Sequence, residues 1–160
     1  MASLIEELID VLEQECTIYE NLYAVSDTKT QAIVKNDIQE LQKITDQEQA
    51  VIDQVLVLEK KRQTIVDNIA VVLNYKGKNM TVADIVRVME GQPDFQIPLS
   101  RLHHRLRNVV MQLQQVNTQN RELLEDALEM TEFSINILQT AGQAPETANY
   151  DKKSYSGNML

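Results

Sequence analysis

The side chains best suited to chemistry in this chain are the adjacent His103 and His104, the carboxylates Glu6, Glu7, Asp10, Glu13, Glu15 and Glu20, and the lone Cys16. Neighbouring histidines on a helix point about 100° apart and cannot grip one metal ion from the same side. Beside Arg101, Arg105 and Arg107 they read as solvated polar residues. A carboxylate-bridged metal bundle pairs its acids with Glu-x-x-His motifs. None accompanies these carboxylates, which read as a solvated acidic face. Cys16 falls on an apolar side with no cation near it in sequence to lower its pKa, as expected of an inert core thiol. There is no glycine-rich loop to cradle phosphate and no Ser/His/Asp arrangement. Neither catalysis nor a metal, cofactor or small-molecule substrate is expected.

The elements that carry these residues follow from composition and spacing. Apolar residues make up 43% of the 160, enough for a core, while four Gly, three Pro, five Tyr, two Phe and no Trp are too few turn formers and rings for a sandwich of short strands. The expected class is all-α. With 24 acidic against 15 basic residues the formal charge is −9, which repels phosphate backbones, so no nucleic-acid partner is expected. A single cysteine excludes an intrachain disulfide and a Cys-based zinc site. No apolar run approaches the ~20 residues of a membrane span, and Met1 to Asp10 lacks the basic start and small-residue cleavage site of a signal peptide. The expectation is a soluble, cytoplasmic protein.

Ser3 with Glu6 has the spacing of a capping box and predicts a helix from residue 3. Its apolar stripe, Leu4, Leu8, Val11, Ile18, Leu22 and Ala32 with Ile5, Leu12, Cys16 and Tyr19 one step round, loses phase near Asn36. A second phase through Leu41, Ile44, Val51, Val55, Ile65 and Ile69 predicts a helix over 37–74, capped by Asn36 and Gln39 and ended at Gly77. Thr81 and Asp84 open a short helix over 81–90, closed by Gly91 and Pro93. Pro98 then opens a helix over 98–140, in which Leu99, Leu102, Leu106, Val109, Leu113, Val116, Asn120, Leu123, Ala127, Met130, Ser134 and Ile137 make an unbroken heptad seam. The predicted architecture is an elongated, antiparallel, coiled-coil-like three-helix bundle over 1–142, with a mobile tail over 143–160. The connection 75–97 is long enough to span only the short end of a bundle, so the third long helix should start beside the start of the first.

That third helix changes sign midway. Residues 99–120 contain Arg101, Arg105 and Arg107 and no acid, whereas 121–132 contain Arg121 against Glu122, Glu125, Asp126, Glu129 and Glu132. At the same point a second apolar line, Leu124, Leu128, Ile135 and Leu138, begins beside the seam. One seam suffices for packing in a bundle. The extra line predicts either a wider buried stripe within the core or a groove for an amphipathic helix of another protein.

Several stretches resemble the FlgN family of flagellar export chaperones. They are the opening Leu4-Ile5-Glu6-Glu7-Leu8-Ile9, the run Ala32 to Leu41, the element Asn120-Arg121-Glu122-Leu123-Leu124-Glu125-Asp126-Ala127-Leu128, the run Phe133-Ser134-Ile135-Asn136-Ile137-Leu138, and Tyr150-Asp151 in the tail. The resemblance covers nearly the whole chain. It implies a non-enzymatic cytosolic protein that holds hook-associated proteins of the hook–filament junction unassembled and delivers them to the flagellar type III export gate. It further implies that Leu123, Leu124, Ala127, Leu128, Phe133, Ile135 and Leu138 bind the client's terminal amphipathic helices, and that Tyr150 contacts the gate. Ser154 stands where the family pattern has Gly, and Tyr155 is the rival for the gate contact. The free protein is expected to be a monomer or weak homodimer. The rival class is a structural coiled coil or homo-oligomerisation module, whose wide stripe would bury itself against a copy of the chain.

Overall fold

The computed structural model describes residues 1–140, and every regular element among them is helical. They are α1 (Ala2–Val34), α2 (Ile38–Val72), α3 (Val82–Val88) with a 3-10 turn over Met89–Gly91, and α4 (Pro93–Thr140). Tyr150, Tyr155 and the expected tail lie outside the described residues.

Both of the first two long helices end in the same way. The Asn36 N–H donates to Ile33 O and the Asp37 N–H to Ala32 O, while the Asn74 N–H donates to Val71 O and the Tyr75 N–H to Ala70 O. These are Schellman motifs, with Asn36 (φ 55°) and Asn74 (φ 52°) in the left-handed conformation that asparagine tolerates better than most side chains. The stop of α2 is therefore Asn74, not Gly77. Asn36, being the end of α1, cannot cap α2; Asp37 does so, its Oδ1 accepting from the Glu40 N–H at 3.1 Å. A turn of three residues thus serves both helices.

The starts of α1 and α4 also depart from expectation. The Ile5 N–H donates to Met1 O at 3.1 Å, which places Ser3 inside the first turn; no side chain caps α1. Pro93, rather than Pro98, takes the first position of α4, where a missing N–H costs nothing. Pro98 lies one turn further in, opposite the carbonyl of exposed Asp94, which water can satisfy. The Thr81–Asp84 capping box of α3 is present in both directions, 2.9 and 3.1 Å.

Helix directions follow from the cross-helix contacts. Glu15 meets Arg62, Tyr19 meets Glu59 and Lys29 meets Glu48, so α2 runs antiparallel to α1. Cys16 Sγ donates to Leu102 O and Asn120 Nδ2 to Ser26 O, so α4 runs parallel to α1. α1 packs along both partners, whereas α2 and α4 make little direct backbone contact. The described chain is two helix pairs sharing α1. Their common core includes Ile5, Leu8, Leu12, Leu22, Ile69, Ile85, Met89, Leu99 and Leu113, and its last α4 member is Val116.

A candidate interaction site at the free end of the longest helix

Beyond Val116 the apolar core gives way to a buried polar layer drawn from all three long helices. Glu48 accepts from Lys29 Nζ at 2.8 Å and from Ser26 Oγ at 3.0 Å. Asn120 accepts from Thr30 Oγ1 at 2.5 Å and donates to Ser26 O at 2.8 Å. Ser26, Lys29, Glu48, Asn117 and Asn120 are all buried. Such a layer is satisfied in one alignment of the helices only, so it fixes their register.

That register determines where α4 loses its partner. Val34, the last residue of α1, lies one turn past Thr30, and Leu124 lies one turn past Asn120 on the parallel helix. With Val34 level with Leu124 and α4 continuing to Thr140, residues 125–140 extend about 24 Å beyond the end of α1 at ~1.5 Å per residue. Here the apolar side chains are open: Met130 is 65% exposed, Phe133 60%, Ile137 52% and Leu138 43%. Level with the start of the overhang, Val34 at the end of α1 and Ile38 at the start of α2 are also open, 67% and 73% exposed.

The heptad seam does not continue unbroken. After Asn120 the buried position is Leu128, 8% exposed, reached through half-buried Leu124; of the expected seam residues Leu123 is half-buried and Ala127, Met130, Ser134 and Ile137 are exposed. Spacings of four in succession replace the alternation of three and four. An α-helix with 3.6 residues per turn drifts from a 3.5 repeat, and where α1 ends no other described helix holds α4 in the tighter phase. Of the residues read as client-binding, Leu123, Leu124 and Ile135 are half-buried, Leu128 is buried outside the main core, and Ala127, Phe133 and Leu138 are exposed. The open part of the strip is carried by both apolar lines. Val34 and Ile38 went unread because they stand at the last position of α1 and the first of α2, off the buried stripes, and only the offset between α1 and α4 brings them level with the start of the overhang.

Cys16 is buried, burial pushes its thiol pKa up, and its Sγ lies 3.6 Å from Leu102 O. His103 is half-buried and held below its ordinary pKa by burial, then by Arg107 and His104. Glu15 is fully buried, and burial raises its pKa to about 7 against the pull of Arg62. Tyr19 donates to Glu59. No group of three or more His, Cys, Asp or Glu residues that could hold a metal ion occurs among the described residues. No described helix is long and apolar enough to cross a membrane.

The family model described as FlgN protein matches residues 1–155. The chain belongs to the FlgN family. Membership places it among the chaperones of flagellar biogenesis. A similar protein is the uncharacterized YvyG of Bacillus subtilis (strain 168), 28% identical over 131 residues, covering 82% of this chain and 78% of that one. No solved structure gives a significant match. In this FlgN-family chain, the described residues form a helical frame with α1 at its centre, and α4 carries apolar residues past the ends of the other described helices.

Proposed function

We propose that this FlgN-family protein is a cytoplasmic chaperone for flagellar type III export that binds the terminal amphipathic helices of hook-associated proteins, keeps them unassembled and brings them to the export gate. The observation that carries the reading is the overhang of α4, whose Met130, Phe133, Ile137 and Leu138 are exposed together with Val34 and Ile38 at its base. An isolated exposed apolar residue is ordinary, but a contiguous strip on a helix end is the surface that helix-in-groove recognition uses. The client helix would lie along α4 from Leu123 and Leu124 past Phe133 to Leu138, with Leu128 supporting the strip from beneath. Residues 121–140 carry five acids, Glu122, Glu125, Asp126, Glu129 and Glu132, against Arg121, so basic residues flanking a client's apolar stripe would be favoured.

In this reading residues 1–142 form the helical unit and 143–160 the segment that meets the gate, with Tyr150 as the contact. The free protein is monomeric or weakly dimeric, because a strip that must receive and release a client cannot be permanently covered by a copy of itself. Co-expression with hook-associated proteins tests the proposal. The full chain should co-purify with them, and a chain ending at Leu128 should not, while its core, which ends at Val116, keeps its cooperative melt. Retention of the client by the shortened chain would place the site elsewhere. A stable homo-oligomer that forms through the same strip and excludes the client would favour an oligomerisation module.

A further inference from the structure

Because α2 and α4 approach α1 but scarcely one another, a groove of about 590 Å³ is left between them beside the start of α3. Its apolar lining includes Val66 from α2 and Leu106 and Met111 from α4, its cationic side chains are Arg62 and Arg107, and His103 adds a polar ring. No described acid lines it, although the whole chain has a formal charge of −9. Arg107 is exposed and makes no ion pair with a described residue, and Met111 is half exposed. Arg62 reaches inward to Glu15 with its Nε yet keeps 28% of its side chain accessible. Along α4 the groove runs from His103 to Met111, about 12 Å or two helical turns. Met111 lies some 33 Å of helix from Phe133, at ~1.5 Å per residue, so this surface is separate from the overhang.

We propose that the groove between α2 and α4 is a second docking site, and that its occupant is an acidic amphipathic helix of another protein. An apolar floor two turns long between basic side chains complements a helix whose apolar stripe is flanked by Glu or Asp. The two ends of α4 then select opposite charges, since 99–120 contains three arginines and no acid while 121–132 is acidic. A client with basic flanks is repelled from the groove, and an acidic partner is repelled from the overhang. One chain can therefore hold two different helices at once.

The test uses the full-length protein and a fluorescein-labelled helical peptide of about 18 residues, long enough to cover the groove, with a Leu/Ala stripe flanked by Glu. The matched peptide with Lys at every Glu position and a short DNA duplex serve as comparisons. The acidic peptide should bind saturably, roughly tenfold or more weaker to Arg107→Glu and to Met111→Asp, as expected when a steering charge or an apolar contact is reversed. It should bind Phe133→Asp as it binds the wild type. Arg107 and Met111 are exposed, so both groove variants should melt as the wild type does. No saturable binding, equal affinity for the Lys peptide, or undiminished affinity in both groove variants would overturn the proposal. So would duplex DNA binding through Arg107 as tightly as the peptide, or a homodimer dissolved by Arg107→Glu, which would give the groove to nucleic acid or to a second copy.

Discussion

Replacing Glu15 by Gln should stabilise the protein at pH 8 and do little at pH 5. Glu15 is fully buried in α1, neither carboxylate oxygen has a hydrogen-bond donor, and Arg62 Nε stands 3.3 Å from Oε1 without completing one. Burial raises its pKa from 4.5 to about 7, more than Arg62 lowers it, and Glu59 adds a smaller upward push. Between those values the unfolded chain releases a proton that the folded chain keeps. The folded state then binds more protons, and unfolding free energy falls as pH rises from about 4.5 to 7, levelling off above. At about 1.4 kcal/mol per pH unit the whole window corresponds to about 3 kcal/mol. Gln keeps the shape and removes the titration, but forfeits the attraction of Arg62 and leaves a buried amide to satisfy, so about 1–2 kcal/mol should be recovered at pH 8. For a chain of this size that is a rise in Tm of about 2–8 °C. Thermal melts of both proteins by circular dichroism at pH 5 and pH 8 check it. A Glu15→Gln protein that melts lower than wild type at pH 8, or shows the same difference at both pH values, would mean that Glu15 is ionised and paired with Arg62 in the fold.

Lys29→Met should destabilise the protein by about 3–5 kcal/mol by leaving Glu48 buried without its cation, and adding Glu48→Met should restore most of the loss; chemical denaturation of the single and double variants measures both. Leu128→Asp should lower the melting temperature because Leu128 is buried, whereas Leu138→Asp, at an exposed position, should melt as wild type. Tyr150→Ala should keep client binding and reduce secretion of hook-associated proteins, read beside Tyr155→Ala in the same secretion assay. Equal wild-type export from both would remove the tail from the mechanism, and a defect confined to Tyr155→Ala would make that ring the gate contact.

The helices and their order were legible because each buries an apolar stripe at helical spacing, and the Thr81–Asp84 box was legible because its two hydrogen bonds are local. Their ends were read less well. Ser3 and Glu6 have the capping spacing, yet the Met1 carbonyl closes the first turn one residue earlier. Gly77 is the commoner helix stop, but Asn74 reaches the left-handed conformation first. The change of face after Asn120 depends on where α1 ends relative to α4, a register set by the contacts of Asn120 with Ser26 and Thr30. No pattern within α4 alone reports that register. For the same reason the heptad of Leu123, Ala127, Met130 and Ile137 read as core when three of the four are exposed and the fourth is half-buried. Leu128, in the second line, was legible either as core or as groove, and it is buried.

The central claim, that the overhanging end of α4 receives the client, is tested most directly by calorimetric titration of a purified hook-associated protein into wild type, Phe133→Asp and Leu56→Asp. Phe133 and Leu56 are both exposed, 60% and 57%, but Leu56 lies on α2 away from the overhang. The account predicts that Phe133→Asp weakens binding by about 10–100-fold, the range for an aromatic anchor, with an unchanged melt, and that Leu56→Asp binds as wild type. Wild-type affinity in a folded Phe133→Asp protein, or an equal loss in Leu56→Asp, would contradict it.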